Sequence, residues 1–406
     1  MSTTFRKCLT ATLVASAFSA LAIPSAAIAS EAEILKRIDA LQAEINALKA
    51  EAAKAKTAAP VAADKSGPVA TSNATGITIY GRLDVVGEQS DDGQVSRQVL
   101  QSISSRIGFR GERKLSDDLS GIMQIETGLD PHDETNSKTF ASRNSYAGLR
   151  SKAFGTLITG KHDTPFKNLE GTASPVWGSA EAMEIIIHGK GSARVANDSK
   201  TSLFNNFHTR RTNSVQYWSP KFSSMQVKLA YSPDEISGAA GTYDAKLYGA
   251  SFEYDNGMFT AGVATETQTN YNIVKTVGYD MTGVKATAGM RFGDGTVGLA
   301  YSILDNDLGK KTNNWLLTGT YKFGPTILKG NYGTSSESAN GANDGLSMFG
   351  IELDYPLDKF TTVYGYYTSI SNDPKARGRF EAGETKYSPI AGDDPSVLGL
   401  GLRYNF

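Results

Sequence analysis

The chain contains almost no cysteine, because its single cysteine, Cys8, lies within the first ten of 406 residues. The surrounding segment, residues 1–29, starts with the basic pair Arg6-Lys7. An apolar stretch follows from Leu9 to Ile23, and the segment ends on the small-residue triplet Ala27-Ile28-Ala29. This order of features is typical of a cleavable secretory signal peptide. We therefore expect an exported mature chain without cysteine, which excludes disulfide bonds and thiol chemistry.

The sequence also lacks long apolar runs, an excess of either charge, and known catalytic motifs. After residue 29, no apolar run approaches the roughly 18 residues that a membrane helix requires. Lys and Arg number 41 against 42 Asp and Glu, so the charge gives no indication of a nucleic-acid partner. The four histidines occur in no His-x-x-x-His or Glu-x-x-His spacing, and no Gly-x-Ser-x-Gly motif is present. We therefore predict no enzymatic activity, no cofactor and no metal site.

The last ten residues alternate in a way that favours a membrane strand. Apolar or aromatic side chains occupy positions 398, 400, 402, 404 and 406, whereas Gly, Arg and Asn occupy the positions between them. A half-buried strand of a soluble β-sandwich alternates in the same way, but aromatic residues near the end of such a strand favour a transmembrane barrel. The chain end also resembles the last-strand signal of bacterial outer-membrane proteins. That resemblance implies an assembly role for Tyr404 and Phe406, with the barrel-assembly machinery as a partner.

Residues 76–406 form a series of alternating strands joined by two kinds of connection. Short turns such as 254–257 alternate with long polar loops such as 371–394, as in barrels with periplasmic turns and external loops. We count sixteen strands, an even number that closes a barrel wide enough to leave an aqueous channel. The predicted fold is an all-β, 16-stranded antiparallel transmembrane β-barrel in the outer membrane of a Gram-negative bacterium. The predicted strands lie near 77–88, 97–112, 118–128, 139–151, 154–162, 210–219, 225–232, 244–254, 258–266, 279–292, 296–304, 313–323, 326–334, 346–355, 360–370 and 396–406.

Between the signal peptide and the barrel, residues 30–56 favour a short amphipathic helix. Apolar residues at positions 34, 38, 41, 45 and 48 are spaced alternately by four and three, which is the pattern of a coiled coil. A single surface helix would have the same pattern. Residues 57–75, however, are rich in Ala, Pro, Ser and Thr and favour a flexible linker over a soluble domain. We therefore predict a coiled coil in the periplasm that joins copies of the chain.

Five segments of the barrel resemble strands of the Gram-negative general diffusion porins, particularly the neisserial and beta-proteobacterial type. These segments are Gly76–Asp84, Ser105–Glu112, Arg143–Leu149, Phe154–Leu157 and Asn213–Pro220. The resemblance implies a homotrimer of sixteen-stranded barrels, each with its third external loop folded inward as a constriction. Two features depart from the family pattern. Lys161 stands where the family usually has Arg, and the N-terminal coiled coil looks more like an extension of some substrate-selective porins.

The third long loop carries the candidate functional site. It runs from His162 to Thr209, and an irregular segment of that length usually has a function. Loop carboxylates facing basic residues of the wall would set a transverse electric field across the channel. Alternation places Arg82, Arg106 and Arg110 on the lumen face of their strands. It leaves open which face Arg143 and Lys161 occupy. Arg210 and Arg211 are adjacent, so only one of them can face inward. The predicted constriction residues are Arg82, Arg106, Arg110, Arg143, Lys161, Arg210, Glu170 and Glu181.

Three functions are compatible with these features. The first is an outer-membrane channel for passive diffusion of small hydrophilic solutes and ions, bounded by lipid and lipopolysaccharide. The second is a channel selective for one substrate class, such as anions or organic acids. The third is an adhesive or structural protein in which the barrel only holds the coiled coil at the membrane. We predict the first, with a preference for anions, because arginines on regular strands are better fixed than carboxylates on a loop.

Overall fold

The structure is a computed structural model that describes residues 76–132, 139–176, 181–189, 192–194, 207–233, 245–274, 277–306, 311–338, 343–380 and 390–406. The chain divides into two units, Met1–Lys65 and Ser66–Phe406, and every described residue belongs to the second. The predicted signal peptide (1–29), coiled-coil helix (30–56) and linker (57–75) lie outside the described residues. Their boundaries therefore stay predictions.

The described chain consists mainly of β-strands that follow one another in an antiparallel meander. In chain order they are β1 Ile77–Asp91, β2 Ser96–Ser102, β3 Arg106–Lys114, β4 Leu119–Gly128, β5 Ser145–Ser151, β6 Gly155–Asp163, β7 Ser192–Arg194, β8 Arg210–Trp218, β9 Met225–Ser232, β10 Leu247–Asp255, β11 Phe259–Val274, β12 Val277–Phe292, β13 Gly295–Asn306, β14 Thr312–Phe323, β15 Thr326–Ser335, β16 Leu346–Pro356, β17 Thr361–Asn372, β18 Ala376–Gly378 and β19 Ser396–Asn405.

Strands β2 and β3 together make one membrane-spanning strand. Both pair with β1, β2 with its second half and β3 with its first half. The break between them contains Ser104, whose φ of 55° bends the chain. The main sheet holds seventeen strands, so counting this pair as one gives sixteen spanning strands, and the predicted fold class is confirmed. Strands β7 and β18 lie outside this sheet and pair with each other.

Side chains alternate between a lipid-facing and a lumen-facing surface along each spanning strand. On β19, Leu398, Leu400 and Leu402 are exposed on the outside, whereas Val397 and Arg403 are buried on the inside. The same alternation holds on β13 and β16. The apolar outer face of the barrel suits contact with lipid, and the polar inner face suits contact with water or with other polar groups. Within the described ranges, no helix is long and apolar enough to cross a membrane.

Strands β11 and β12 are longer than predicted, with 16 residues each. The prediction ended the first of them at 266, where apolar alternation stops. The backbone pairing continues to Val274 opposite Val277, past an irregularity between Gln268 and Asn272. Polar residues in this extension do not interrupt the ladder, because strand pairing needs only backbone groups once the hairpin has started.

The barrel closes where β1 meets β19. Their register runs from Arg82 opposite Asn405 to Asp91 opposite Ser396. The terminal residue completes the seam, since the Gly81 and Phe406 backbone groups exchange hydrogen bonds of 2.9 and 3.1 Å. On the outer face, a Cβ added to Gly81 would lie 2.3 Å from the Phe406 ring. The strand that suggested a membrane barrel is therefore the one that closes it.

The lumen side of the seam is held by a buried ion pair. Arg403 Nε donates to Asp84 Oδ2 at 2.6 Å, and the Tyr364 hydroxyl donates to Asp84 Oδ1 at 2.5 Å. The Arg403 guanidinium also lies 4.5 Å from the centre of the Tyr364 ring. Three neighbouring strands, β1, β17 and β19, are thus joined by side chains as well as by the backbone ladder.

Gly81 gives a direct test of the seam. We expect Gly81→Ala to destabilise the folded barrel, because its methyl group would overlap the Phe406 ring and the Arg106 carbonyl oxygen, 2.6 Å away. Overpacking of this kind costs about 1–3 kcal/mol. The measurement is the temperature at which the purified barrel loses its folded mobility on a detergent gel.

The matched control is Gly319→Ala on β14. A Cβ there has its nearest contact, the Thr296 carbonyl oxygen, at 3.6 Å, so this variant is expected to unfold at the wild-type temperature. Equal unfolding temperatures for the two variants would contradict the role given to the Gly81–Phe406 contact.

Candidate functional site

The third external loop, residues 164–209, enters the barrel and packs against its wall. It begins with a one-turn helix, α1, over Pro165–Asn168, whose N-terminus is capped by the Thr164 side chain. A π-helical turn follows at Met183–Ile187. The helix contacts β9 to β12, and the π-helical turn contacts β13 to β15. One continuous side of the wall, from β9 to β15, therefore supports the loop. This arrangement agrees with the predicted inward fold of the third loop.

Lumen-facing glycines provide the space for this close approach. A Cβ on Gly262 of β11 would lie 2.4 Å from the Leu169 side chain, and one on Gly289 of β12 would lie 1.7 Å from Thr172 Oγ1. Gly298 of β13 meets the Thr172 carbonyl oxygen in the same way, at 2.5 Å. Any larger residue at these places would push the loop toward the centre of the lumen. The glycines thus fix the path of the loop.

A chain of buried polar side chains attaches the loop to β12. Lys285 Nζ lies 2.9 Å from His188 Nε2, His188 Nδ1 lies 3.3 Å from His208 Nδ1, and His208 Nε2 lies 3.1 Å from Glu184 Oε1. Lys285 also lies 4.8 Å from the Phe166 ring centre. Both ends of the loop are thereby held to one strand.

The eighth external loop, residues 373–395, joins the third loop inside the barrel. Its strand β18 pairs with β7 of the third loop over three residue pairs. Its residues Ala376 and Phe380 are buried in the same apolar cluster as Ile185, Ile186 and Ile187 of the π-helical turn. The cluster also contains wall residues that point into the lumen, among them Leu316, Met348 and Ile370. Two loops therefore fill one side of the barrel.

Five arginines gather on the wall formed by β1, β3, the bend before β5 and β8, and we call them the basic wall cluster. Arg143 Nε lies 2.6 Å from Glu126 Oε1 and Arg106 Nε lies 3.7 Å from Glu126 Oε2. Arg210 Nε lies 3.1 Å from Asp163 Oδ1. The cluster is Arg82, Arg106, Arg110, Arg143 and Arg210, and all five were predicted as constriction residues.

The other two members of the cluster contact uncharged groups. Arg82 Nε donates to Asn405 Oδ1 at 3.0 Å, and the Arg110 guanidinium lies 4.6 Å from the centre of the Tyr80 ring. The ion pairs of the cluster involve two carboxylates, Glu126 and Asp163, and Asp163 also binds Lys167 at 2.8 Å.

Three other predicted residues are placed differently. Lys161 is half-buried and lies at the pairing irregularity between Gly160 and His162 on β6, where the alternation of the strand is interrupted. Glu170 follows α1 within the loop, and burial raises its pKa to about 7 although Lys285 acts in the opposite direction. Glu181 precedes the π-helical turn, where Ser174 Oγ donates to it at 3.5 Å.

Several residues of the site were missed or misplaced from sequence. Arg143 was assigned to a strand over 139–151, but β5 starts at Ser145 and Arg143 lies in the preceding bend. Its carboxylate partner Glu126 was not singled out, although it alternates with Ile125 on a regular strand. Lys285 alternates on β12 in the same way, so period-two alternation was a signal that would have found both. Within the described ranges, no three His, Cys, Asp or Glu side chains are grouped to bind a metal.

The chain is similar to a known protein family and to several relatives. A family model described as Gram-negative porin matches residues 50–375. The major outer membrane protein P.IB of Neisseria gonorrhoeae is 27% identical over 198 residues, which cover 46% of this chain and 51% of that protein. The chain thus spans about half the length of this relative. P.IB of Neisseria meningitidis serogroup B is 24% identical over 360 residues, which cover 81% of this chain and 94% of that protein.

Among solved structures, two examples of similar folds are outer-membrane proteins. An anion-selective porin from Comamonas acidovorans has a TM-score of 0.68 and 20% identity, and the match covers 81% of this chain and 99% of that one. A trimer form of OmpT from Vibrio cholerae has a TM-score of 0.58 and 18% identity, again covering 81% and 99%. At these identities the likeness concerns the fold.

Lys285 provides a test of how the third loop is held. We expect Lys285→Met to increase the fluctuation of the ionic current through single channels. His188 loses its hydrogen-bond partner Lys285, so the third loop moves away from the wall more often. A buried hydrogen bond left unmade costs about 1–3 kcal/mol, which raises the displaced population at least about fivefold. Single-channel recording in planar bilayers measures this directly.

Lys329→Met is the control, since Lys329 is another buried lumen-facing lysine, bound to Glu352 and Asp354 on β16 and away from the loop. Its channels are expected to have wild-type current fluctuation. If Lys285→Met channels were as quiet as the wild type, the attachment through His188 would be refuted.

Proposed function

The chain belongs to the Gram-negative porin family, and from this membership we propose that it forms a water-filled channel for passive diffusion of small hydrophilic solutes and ions. It is a multi-pass protein of the outer membrane, in a family whose members are not enzymes. The observation that carries the proposal is the third loop, whose described residues pack on the inner wall from β9 to β15 of a closed sixteen-stranded barrel, whereas the basic wall cluster lies on β1, β3, β8 and the bend before β5. A loop held in this way narrows a wide lumen.

The predicted constriction residues give the channel a preference for anions in this proposal. A unit charge about 6 Å from a passing ion in a water-like medium changes its energy by about 0.7 kcal/mol, close to a threefold change in partition. The guanidinium groups of the basic wall cluster support this preference, and burial raises the pKa of Glu170 in the third loop. The anion-selective porin of Comamonas acidovorans has a similar fold, which supports the idea without deciding it.

A channel selective for organic anions is the second candidate function. The observation in its favour is the aromatic lining beside the arginines. Arg110 lies over the Tyr80 ring, and the His162 ring lies 5.3 and 5.1 Å from the ring centres of Tyr146 and Trp218. Aromatic rings next to guanidinium groups suit carboxylates that carry an apolar body. Saturation of the conductance by such an anion would distinguish this function from general diffusion.

Assembly and domain roles complete the proposal. We propose a homotrimer, which the trimer form of the similar OmpT fold supports. Residues 1–29 are removed on export, residues 30–56 form a periplasmic coiled coil, and residues 57–75 link it to the barrel from 76 to 406. The exposed apolar and aromatic exterior contacts lipid and lipopolysaccharide, and Tyr404 and Phe406 are read by the barrel-assembly machinery.

Neutralising the basic wall cluster tests the ion preference. We expect the double variant Arg106→Gln and Arg143→Gln to lower the chloride-to-potassium permeability ratio by at least about threefold. The measurement is the reversal potential across a planar bilayer in a KCl gradient. The control variant, Arg150→Gln with Arg291→Gln, removes two arginines that pair with Glu112 and Asp255 at the turn end of the barrel. A ratio that falls equally in both variants would exclude a local effect of the cluster.

Deleting residues 30–56 tests the coiled coil. If it joins copies of the chain, the deleted protein is expected to keep the wild-type single-channel conductance, while its trimers dissociate at a lower temperature or detergent concentration. Analytical ultracentrifugation in detergent measures the second effect. A scrambled helix of equal length and composition, lacking the spacing of four and three, is the control. Unchanged trimer stability would leave the helix a different role, such as contact with the cell wall.

A further inference from the structure

The eighth external loop carries a row of basic residues that the constriction does not use. Lys375, Arg377 and Arg379 alternate with Ala376, Gly378 and Phe380. Ala376 and Phe380 are almost completely buried, at 0% and 2% exposure, in the apolar cluster shared with the third loop. Because side chains of an extended segment alternate between two faces, burying one face directs the other away from the cluster. We call these three residues the basic row.

The backbone under the basic row is firmly fixed. It pairs with β7 of the third loop, with Arg377 opposite Ala193. The Asn372 side chain accepts from the Gly378 N–H at 2.7 Å and donates to the Gly378 carbonyl at 3.1 Å. The Lys375 N–H donates to the Asn343 carbonyl at 2.9 Å, which ties the segment to the seventh loop. A charge held on such a backbone stays in place while ions pass.

Carboxylates near the base of the same loop are engaged in local hydrogen bonds. Asp393 accepts from the Ile390 N–H and from Gln94, both at 2.9 Å. Asp394 accepts from the Asn372 N–H at 2.7 Å. By contrast, the Nε of Arg377 is enclosed and has no hydrogen-bond partner among the described residues. Among the described residues of the loop, Asp393 and Asp394 lie near its base, and the basic row lies on the segment that pairs with the third loop.

We propose that the basic row is an outer charge filter that determines anion specificity before solutes reach the basic wall cluster. The inference rests on the proposed channel function and adds a second selective position to it. Strands β17 and β19 flank the eighth loop and β6 and β8 flank the third, so both loops lie at the same end of the barrel. An anion that enters at that end passes the basic row, and its local concentration rises there.

The test is the triple variant Lys375→Gln, Arg377→Gln and Arg379→Gln in planar bilayers. Surface charges act over about 10 Å at 0.1 M salt and about 3 Å at 1 M. We therefore expect conductance in 0.1 M KCl to fall about twofold, conductance in 1 M KCl to stay close to wild type, and the chloride-to-potassium permeability ratio to fall about twofold. With the protein inserted in one orientation, the loss is larger for chloride entering from the loop side.

A matched control removes three other basic residues from the external end, Arg97→Gln, Lys246→Gln and Lys311→Gln. Its permeability ratio is expected to stay at the wild-type value, as is that of the charge-retaining variant Lys375→Arg, Arg377→Lys and Arg379→Lys. Arg377→Gln alone leaves the buried face untouched and is expected to give part of the loss, so the test survives if the triple variant folds poorly.

The outcomes separate the filter from the channel. If the wild type conducts and the basic-row variants, with wild-type trimer stability, match the control, the filter is refuted while the channel function stands. An equal loss at 0.1 M and 1 M KCl would also refute it, because a blocked or deformed lumen has that effect at any salt concentration. If the wild-type protein forms no ion-conducting channel, the proposed function fails as a whole.

Discussion

The structure depends on one constraint: in a lipid environment every backbone N–H and C=O group must be paired within the protein. A sheet satisfies this only when it has no free edge. Here the first and last strands meet, and the pairing extends to the terminal residue, since Gly81 and Phe406 exchange backbone hydrogen bonds. The Asp84–Arg403 ion pair secures the same seam from within. Without this closure there would be neither a lumen nor a wall on which loops could pack.

Closure of sixteen strands creates a lumen too wide to be filled by wall side chains alone. The third and eighth external loops occupy one side of this lumen. Exposure to water would be unfavourable for lumen-facing apolar residues such as Leu316, Met348 and Ile370, but the third and eighth loops cover them. Glycines on β11 to β13 let the third loop lie close to the wall.

Period-two alternation predicted the strands and their faces well, because the membrane imposes the same requirement on every strand. It also predicts a lumen-facing phase for Arg82, Arg106 and Arg110, and their role as constriction residues stays a prediction. It could not place Arg143, which lies in a bend where no periodicity applies, nor Lys161, next to Gly160 with its φ of 137°. The pairing of β7 with β18 joins backbone segments about 180 residues apart, and such contacts leave no pattern in a single sequence.

The carboxylates of the basic wall cluster are as important to its field as the arginines. Glu126 lies between Arg106 and Arg143, and Asp163 lies between Arg210 and Lys167. Without them the guanidinium groups would repel one another and turn outward along the wall, which would spread the positive charge. Each carboxylate therefore lowers the net charge of the wall but fixes the arginines in one arrangement. A smaller, fixed charge can discriminate between passing ions more sharply than a larger charge on side chains that move with the solvent.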